Sequence, residues 1–342
     1  MKLTLLNKLN VIAEVGQAHD GNLNLAHSYI DAVYYAGASA IKFQTHFANH
    51  ESSIQDKFRT RVKYISDKTR FDYWKRMEFT LDQWRQLKKH ADYLGLIFLS
   101  SPFSFKAVDI LQKLDIQGWK IGSGEANNFP LIEKIAKTKK PIILSTGLSN
   151  FEEIDEAVNL IKKFHKNIAI MQCTSLYPCP KNMLGLNVIS ELKSKYKEFK
   201  IGFSDHSGNS LTSLAAKASG ADFVEVHVVF DKHISGFDTK SSITITDLKN
   251  LVKNFSYFNQ ILKNKVNKNL INKKLKRNKR LFEKSIILKK NMKFKEKIVL
   301  KYLDFKKPNR GIPAKDFKKI LGKRMNKIKL KDSFLMKSDI LY

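Results

Sequence analysis

The sequence predicts an α/β protein: a (β/α)8 barrel followed by a small C-terminal module built mainly of short strands. Three observations predict the barrel. Eight short runs dense in β-branched residues are each followed by a helix-like segment. The runs are almost continuously apolar, as strands must be in a parallel sheet covered on both faces. Eight such units fit within residues 1–263, and eight is the number that closes a barrel. An open doubly wound sheet is the alternative, but no GxGxxG turn follows the first run.

The first strand is VIAEVG (11–16), followed by the amphipathic stretch LNLAHSYIDAVYYAG, with Gly37 where a helix C-cap belongs. The second is AIKFQT (40–45). The connection after it is long: residues 46–80, containing HFANHESSIQDKFRT and FDYWKRMEF, form a polar excursion on the face where barrels keep their chemistry, placed to act as a lid. IFLSSPF (97–103), WKIGSG (119–124) and PIILSTG (141–147) follow. Next come the helix NFEEIDEAVNLIKKF, capped by Asn150, and the strands IAIMQCTS (168–175) and KIGFSDH (200–206). SLTSLAAKASG lies between cap residues Asn209 and Gly220, and FVEVHVV (223–229) is the eighth strand. A helix near 245–263 closes the barrel domain. Residues 264–282 read as a basic linker, and 283–342 as a separate module with turn residues Pro308, Gly311 and Pro313. A module of that size buries a marginal core and is expected to dock on something.

Composition bounds the function. Hydrophobic residues make up 43% of the chain, which fits a globular protein. The net charge is +30, but it is uneven: residues 261–342 hold 28 Lys and Arg against 6 Asp and Glu, leaving only +8 on the rest. The basic tail is rich in Lys, Asn and Ile and has no basic–aromatic motif, so no nucleic-acid partner is expected. Lys8 and Glu14 interrupt the apolar N-terminus, which excludes a signal or a membrane span from the expectation. Cys173 and Cys179 fit neither a zinc ribbon nor a disulfide framework, which points to reduced thiols and a cytoplasmic protein.

The carboxyl ends of the strands carry the functional signal. Glu14, Lys42, Gln44, Ser101, Lys120, Ser123, Ser145, Ser175, Ser204, His206, Glu225 and His227 all lie there. Side chains alternate along a strand, so Lys42 and Gln44, Ser204 and His206, and Glu225 and His227 each project from one face. A buried lysine or glutamate is costly without a partner. One such residue could be a structural ion pair. Two lysines, two glutamates, two histidines and several hydroxyls at one end describe a site. Lysines, hydroxyls and Gly-rich turns suit a phosphate or phospho-carboxylate. Two neutral imidazoles suit a divalent metal with open positions.

The motifs IAEVGQAHDG, AIKFQT, KIGSGE, PIILSTG, QCTSLYPCP, GFSDHSG and VEVHVVFDK resemble the sialic acid (nonulosonate) synthase family, in the family's order from about residue 11 to 340. The tail is similar to the family's antifreeze-like (SAF) domain. The resemblance implies condensation of phosphoenolpyruvate with an N-acetylated hexosamine such as N-acetylmannosamine, with phosphate leaving by C–O cleavage. Legionaminic or pseudaminic acid synthesis from a 6-deoxy-di-N-acetyl hexose is the alternative. It implies Mn2+ or Mg2+ on His206 and His227. It also implies phosphoenolpyruvate contacts from Lys42, Ser101, Lys120, Ser123, Ser145, Ser175 and Ser204, and a sugar side formed by Glu14, Gln44, Glu125, Tyr177 and Asp238. Lys42 and Lys120 counter the anion's charge, and Glu14 and Glu125 are the candidates for moving the proton. A domain-swapped homodimer is implied, with Lys307 or Arg310 reaching the partner's N-acetyl group. The chain departs from the pattern at Ala18-His19-Asp20-Gly21, at Ser175, at Gly236-Phe237-Asp238-Thr239 and at Lys307-Pro308-Asn309-Arg310-Gly311. Two other readings are a phosphoenolpyruvate aldolase acting on a phosphorylated sugar and a non-catalytic carbohydrate- or nucleic-acid-binding protein.

Overall fold

The computed structural model describes residues 5–58 and 62–341. Met1 to Thr4, Arg59 and Thr60 of the 46–80 excursion, Arg61 and Tyr342 lie outside the described residues. Two compact units divide the chain at 264/265.

The first unit is a closed barrel. Its strands are β1 (Val11–Gly16), β2 (Ala40–Thr45), β3 (Ile97–Pro102), β4 (Trp119–Ile121), β5 (Ile142–Ser145), β6 (Ile168–Cys173), β7 (Lys200–Asp205) and β8 (Phe223–Val229). Each pairs in parallel with the next, and β8 pairs with β1. A short ninth strand, β9 (Ile243–Thr244), pairs in parallel with the end of β8 and has no counterpart in the sequence reading.

Helices start and stop where local chemistry supplies the missing hydrogen-bond partners. Asn22 accepts from Leu25 N, and Gly37 takes a φ of 81° to end the same helix, Leu23–Ala36. Thr69, Thr80, Asn150 and Thr244 each form a reciprocal capping box at the start of their helices. The outer core lies between the sheet and these helices, with Trp84, Trp119, Phe98 and Ile132 fully buried. A separate inner cluster of Ile12, Ala40, Ile97, Leu99, Ile143, Ala169, Met171 and Phe223 fills the lower barrel, with Leu6 and Leu9 packed against it. Truncating Ile12, Leu99 or Phe223 to Ala is expected to cost about 2–5 kcal/mol.

The second unit is small and β-rich. Antiparallel β10 (Ser285–Leu288) and β11 (Leu303–Lys306), with β12 (Arg324–Met325) and β13 (Ile340–Leu341), enclose Ile286, Leu288, Met292, Ile298 and Leu335. Within the stretch expected to be a basic linker, Lys273–Phe282 is a helix, capped by Asn272. Its lysines and arginines are good helix formers, and reading them as charge alone missed that.

Candidate active site

Inward positions recur at every second residue, and each strand changes character along them. Ile12 is followed by Glu14, Ala40 by Lys42 and Gln44, Leu99 by Ser101, Ile143 by Ser145, Met171 by Cys173, and Phe223 by Glu225 and His227. The lower layer is the apolar plug. The upper layer opens into a pocket of about 470 Å3 at the carboxyl ends of the strands.

Four charges form the pocket's base. Lys42 Nζ lies 2.6 Å from Glu14 Oε2 and 3.7 Å from Glu225 Oε1, and Lys120 Nζ lies 2.9 Å from Glu225 Oε1. The barrel register produces this, since Glu14 is paired with Lys42 on one side and His227 on the other, and Ser204 with Glu225. All four side chains are buried. Burial works against the Lys42 charge, but the Glu14 and Glu225 carboxylates more than offset it and hold its pKa above the usual lysine value. Burial likewise opposes ionisation of Glu225, and Lys120 and Lys42 overcome it to hold that carboxylate below its usual range. The two cations and two anions balance.

Above this base lies a ring of hydroxyls. Lys42 Nζ donates to Ser101 Oγ at 3.3 Å, and Ser204 Oγ donates to Glu225 Oε1 at 3.3 Å. The Ser145 and Ser175 hydroxyls are buried in the pocket lining without a protein partner. Gly147 N donates to Ser123 Oγ at 3.0 Å. A Cβ on Gly147 would stand 2.5 Å from both Ser175 Oγ and Cys173 Sγ, so only glycine lets the strand end approach this cluster. Unpartnered buried donors beside two lysines fit an anionic ligand.

Two imidazoles meet beside the hydroxyls. His206 stands one residue beyond the end of β7. Its Nδ1 donates to the Thr174 carbonyl at 2.9 Å, which leaves the lone pair on Nε2, 3.4 Å from Ser204 Oγ. Burial, with His227 adding to it, lowers the His206 pKa to about 3, so the ring is neutral, the form a metal ligand needs. His227 Nδ1 is buried without a hydrogen-bond partner. The two rings are 5.5 Å apart, and Asp238 Oδ2 lies 3.9 Å from His227 Nδ1. Gly16, at a bulge in β1 with φ 55°, lets the chain pass close to His227. Among the described residues no group of three or more His, Cys, Asp or Glu side chains is arranged to hold a metal. The donor set fits a divalent ion held by two imidazoles, with its remaining positions open to ligand.

The opposite rim is aromatic. Trp74 and Phe103 flank His46, and Phe58 stacks on Phe237 at 5.4 Å. Arg70 is paired with Asp56 at 3.1 Å and lies over the Trp74 ring. Glu125 lines the pocket and accepts from Asn128 Nδ2; burial raises its pKa, only partly offset by that bond.

Lys42, Gln44, Ser101, Lys120, Ser123, Glu125, Ser145, Ser175, Tyr177, Ser204, His206, His227 and Asp238 all line this one pocket, and Glu14 bonds to two of them. Ser123 does so from a 3-10 turn, Ser123–Glu125, because β4 ends at Ile121 and not at Gly124. Lys307 and Arg310 belong to the second unit, where Lys307 lies over Phe282 and Arg310 N donates to Ser285 Oγ. Sequence reasoning missed Gln17, His46, Glu51, Asp56, Arg70, Trp74 and Phe103. For the five within 46–80, the density of aromatic and charged residues there was the available signal; Gln17 and Phe103 had none.

The NeuB family profile matches residues 29–267. The chain is 36% identical to an N,N'-diacetyllegionaminic acid synthase from Campylobacter jejuni, over 93% of this chain and 96% of the relative. It is 33% identical to the human N-acetylneuraminate-9-phosphate synthase, over 71% of this chain and 68% of that one. The crystal structure of an N-acetylneuraminic acid (sialic acid) synthetase from Leptospira borgpetersenii superposes with a TM-score of 0.70 at 30% identity, covering 80% of this chain and 90% of that chain. The chain belongs to the NeuB family.

Proposed function

We propose that this NeuB-family chain is a nonulosonic acid synthase, a transferase that condenses phosphoenolpyruvate with an N-acetylated hexose and releases phosphate. One observation carries the reading most of the way. The upper inward positions of the barrel converge two lysines, unpartnered hydroxyls and two neutral-capable imidazoles in one pocket.

Synthases of this family are metal-dependent. Held by His206 and His227, Mn2+ or Mg2+ would polarise the acceptor aldehyde as a Lewis acid and add the positive charge that the balanced base lacks for an anion. Lys42 and Lys120 counter the phosphate and carboxylate of phosphoenolpyruvate, and Ser101, Ser123, Ser145 and Ser175 donate to their oxygens, joined by Ser204 once its hydroxyl turns from Glu225. C3 of phosphoenolpyruvate attacks the aldehyde carbon, water adds at C2, and the C–O bond to phosphate breaks. Glu125 holds a proton more readily than an exposed glutamate, which suits it to protonating the new hydroxyl oxygen. Glu14, Gln44, Tyr177 and Asp238 orient the acceptor.

The rim favours an unphosphorylated acceptor. Arg70 is already paired with Asp56, while Glu51 and Glu125 would repel a phosphate. The aromatic wall suits apolar substituents, and the legionaminic relative spans nearly the whole chain, so a 6-deoxy-di-N-acetyl hexose is favoured over N-acetylmannosamine. The chain acts as a homodimer, each C-terminal unit reaching the partner's acceptor with Lys307 or Arg310. Exposed Phe294, Ile328 and Leu330 on that unit support it.

The test is phosphate release from phosphoenolpyruvate by metal-stripped protein, with Mn2+ or Mg2+ restored and each acceptor offered in turn. Metal-dependent release with one acceptor, lost in His206→Ala, is expected. Release that is indifferent to metal would refute it.

A further inference from the structure

His46 lines the pocket, yet neither of its ring nitrogens is free to meet a ligand. Nδ1 lies 2.6 Å from Glu51 Oε1 and Nε2 lies 3.2 Å from Gln44 Oε1. Trp74 stacks on the ring at 4.1 Å and 18°, and Phe103 at 4.6 Å and 9°. Two near-parallel rings at those distances cannot share a face, so His46 is clamped between them. Glu51 is held in turn, with Phe47 N donating to its Oε2 at 3.1 Å.

The other end of the line reaches the reactive base. Gln44 Nε2 donates to Glu14 Oε1 at 2.8 Å, and Glu14 Oε2 carries Lys42. An amide whose nitrogen serves a carboxylate must present its oxygen to its remaining partners. The Gln17 amide therefore donates to that oxygen, His46 Nε2 donates to it as well, and the contact between His46 Nδ1 and Glu51 Oε1 holds one proton shared by the pair. Gln17 cannot fix the orientation alone, because two facing amides can reverse together. Glu14, held by Lys42, fixes the amide from one side, and the ring held by Glu51 fixes it from the other, since its two stacking partners block rotation.

We propose that the His46–Glu51 pair is a positioning device for the acceptor half of the synthase reaction. It fixes the sense of the Gln44 amide, and through it the Glu14 carboxylate, so that the acceptor meets one arrangement of donors and acceptors. The inference rests on the synthase reading, and it adds two residues that touch neither phosphoenolpyruvate nor metal. Loss of either should leave phosphoenolpyruvate binding intact and damage the use of the acceptor.

The experiment is a double-mutant cycle on the full chain, after wild-type turnover has been established with an acceptor. His46→Ala is expected to lower kcat/KM for the acceptor about 10–100-fold, with the Kd for phosphoenolpyruvate within about twofold of wild type. The near-isosteric Glu51→Gln should move the same parameter in the same direction by about 3–10-fold, which keeps the test valid if His46→Ala folds poorly. In a Gln44→Ala background, His46→Ala should cause no further loss, because the residue it positions is gone. Additive losses, or a matching loss of phosphoenolpyruvate affinity, would overturn the positioning role and leave the synthase reading standing. A wild-type chain inactive with every acceptor would overturn that reading, and the proposal with it.

Discussion

The base and the rim of the pocket are built by different means. The base comes from inward residues of β1, β2, β4 and β8, held by the barrel register and closed as a balanced set of charges: Lys42, Lys120, Glu14 and Glu225. The rim comes from the 46–80 excursion and the loop carrying Phe237, and it is held by stacked rings and the Asp56–Arg70 pair. The difference teaches that the reaction and the choice of substrate are separable here. A rigid scaffold fixes the anion and metal chemistry, and a loop decorates it.

The largest effect should come from breaking the base. Lys120→Ala leaves Glu225 short of its closest cation in a buried site, so a loss of about 3–5 kcal/mol of stability is expected with activity abolished, read by denaturant unfolding and phosphate release. If the variant stays as stable as wild type, the buried network is not holding the barrel end together. His206→Ala sharpens the contrast. It should abolish metal-dependent turnover while the melting temperature in chelator stays within about 3 °C of wild type. An active His206→Ala would remove the metal assignment.

At the rim the effects should be smaller and selective. Asp56→Asn frees Arg70 from its partner, and it should raise use of a 6-phosphorylated acceptor relative to the neutral one about tenfold, measured as a ratio of kcat/KM values. No change in the ratio would mean that Arg70 does not face the acceptor's far end. Smaller still is a stability effect at Glu125. Its pKa is raised in the fold by burial, so the stability it contributes is present below its unfolded value and lost as pH rises through the folded one. Glu125→Gln should therefore raise the melting temperature at pH 7 by about 1–2 °C while lowering kcat, and the gain should vanish below about pH 4.

How much of this was legible in the sequence follows the same division. The strands announce themselves by continuous apolar runs, and the switch from Ile12 to Glu14, or from Phe223 to Glu225, marks where the plug ends and the pocket begins. Alternation then groups Lys42 with Gln44, and Ser204 with His206, without any knowledge of three dimensions. The rim has no period to read. Trp74 lies on the helix Arg70–Met77, Phe103 follows β3 and His46 follows β2, so only the folded chain shows that these rings stack. The helix within the basic linker was missed for a different reason. Charge was given more weight than helix propensity, and the Asn272 cap ahead of Lys273 went unused.

The most direct test of a two-part pocket compares one variant from each part. The Kd for phosphoenolpyruvate, measured by calorimetry on metal-loaded protein, and the KM for the acceptor are to be determined for Ser145→Ala and Trp74→Ala. Ser145→Ala should weaken phosphoenolpyruvate about tenfold and leave the acceptor KM nearly unchanged, whereas Trp74→Ala should raise the acceptor KM about tenfold and leave the phosphoenolpyruvate Kd within about twofold. If Trp74→Ala weakens phosphoenolpyruvate as much as Ser145→Ala does, base and rim are not separate functions and the account is wrong.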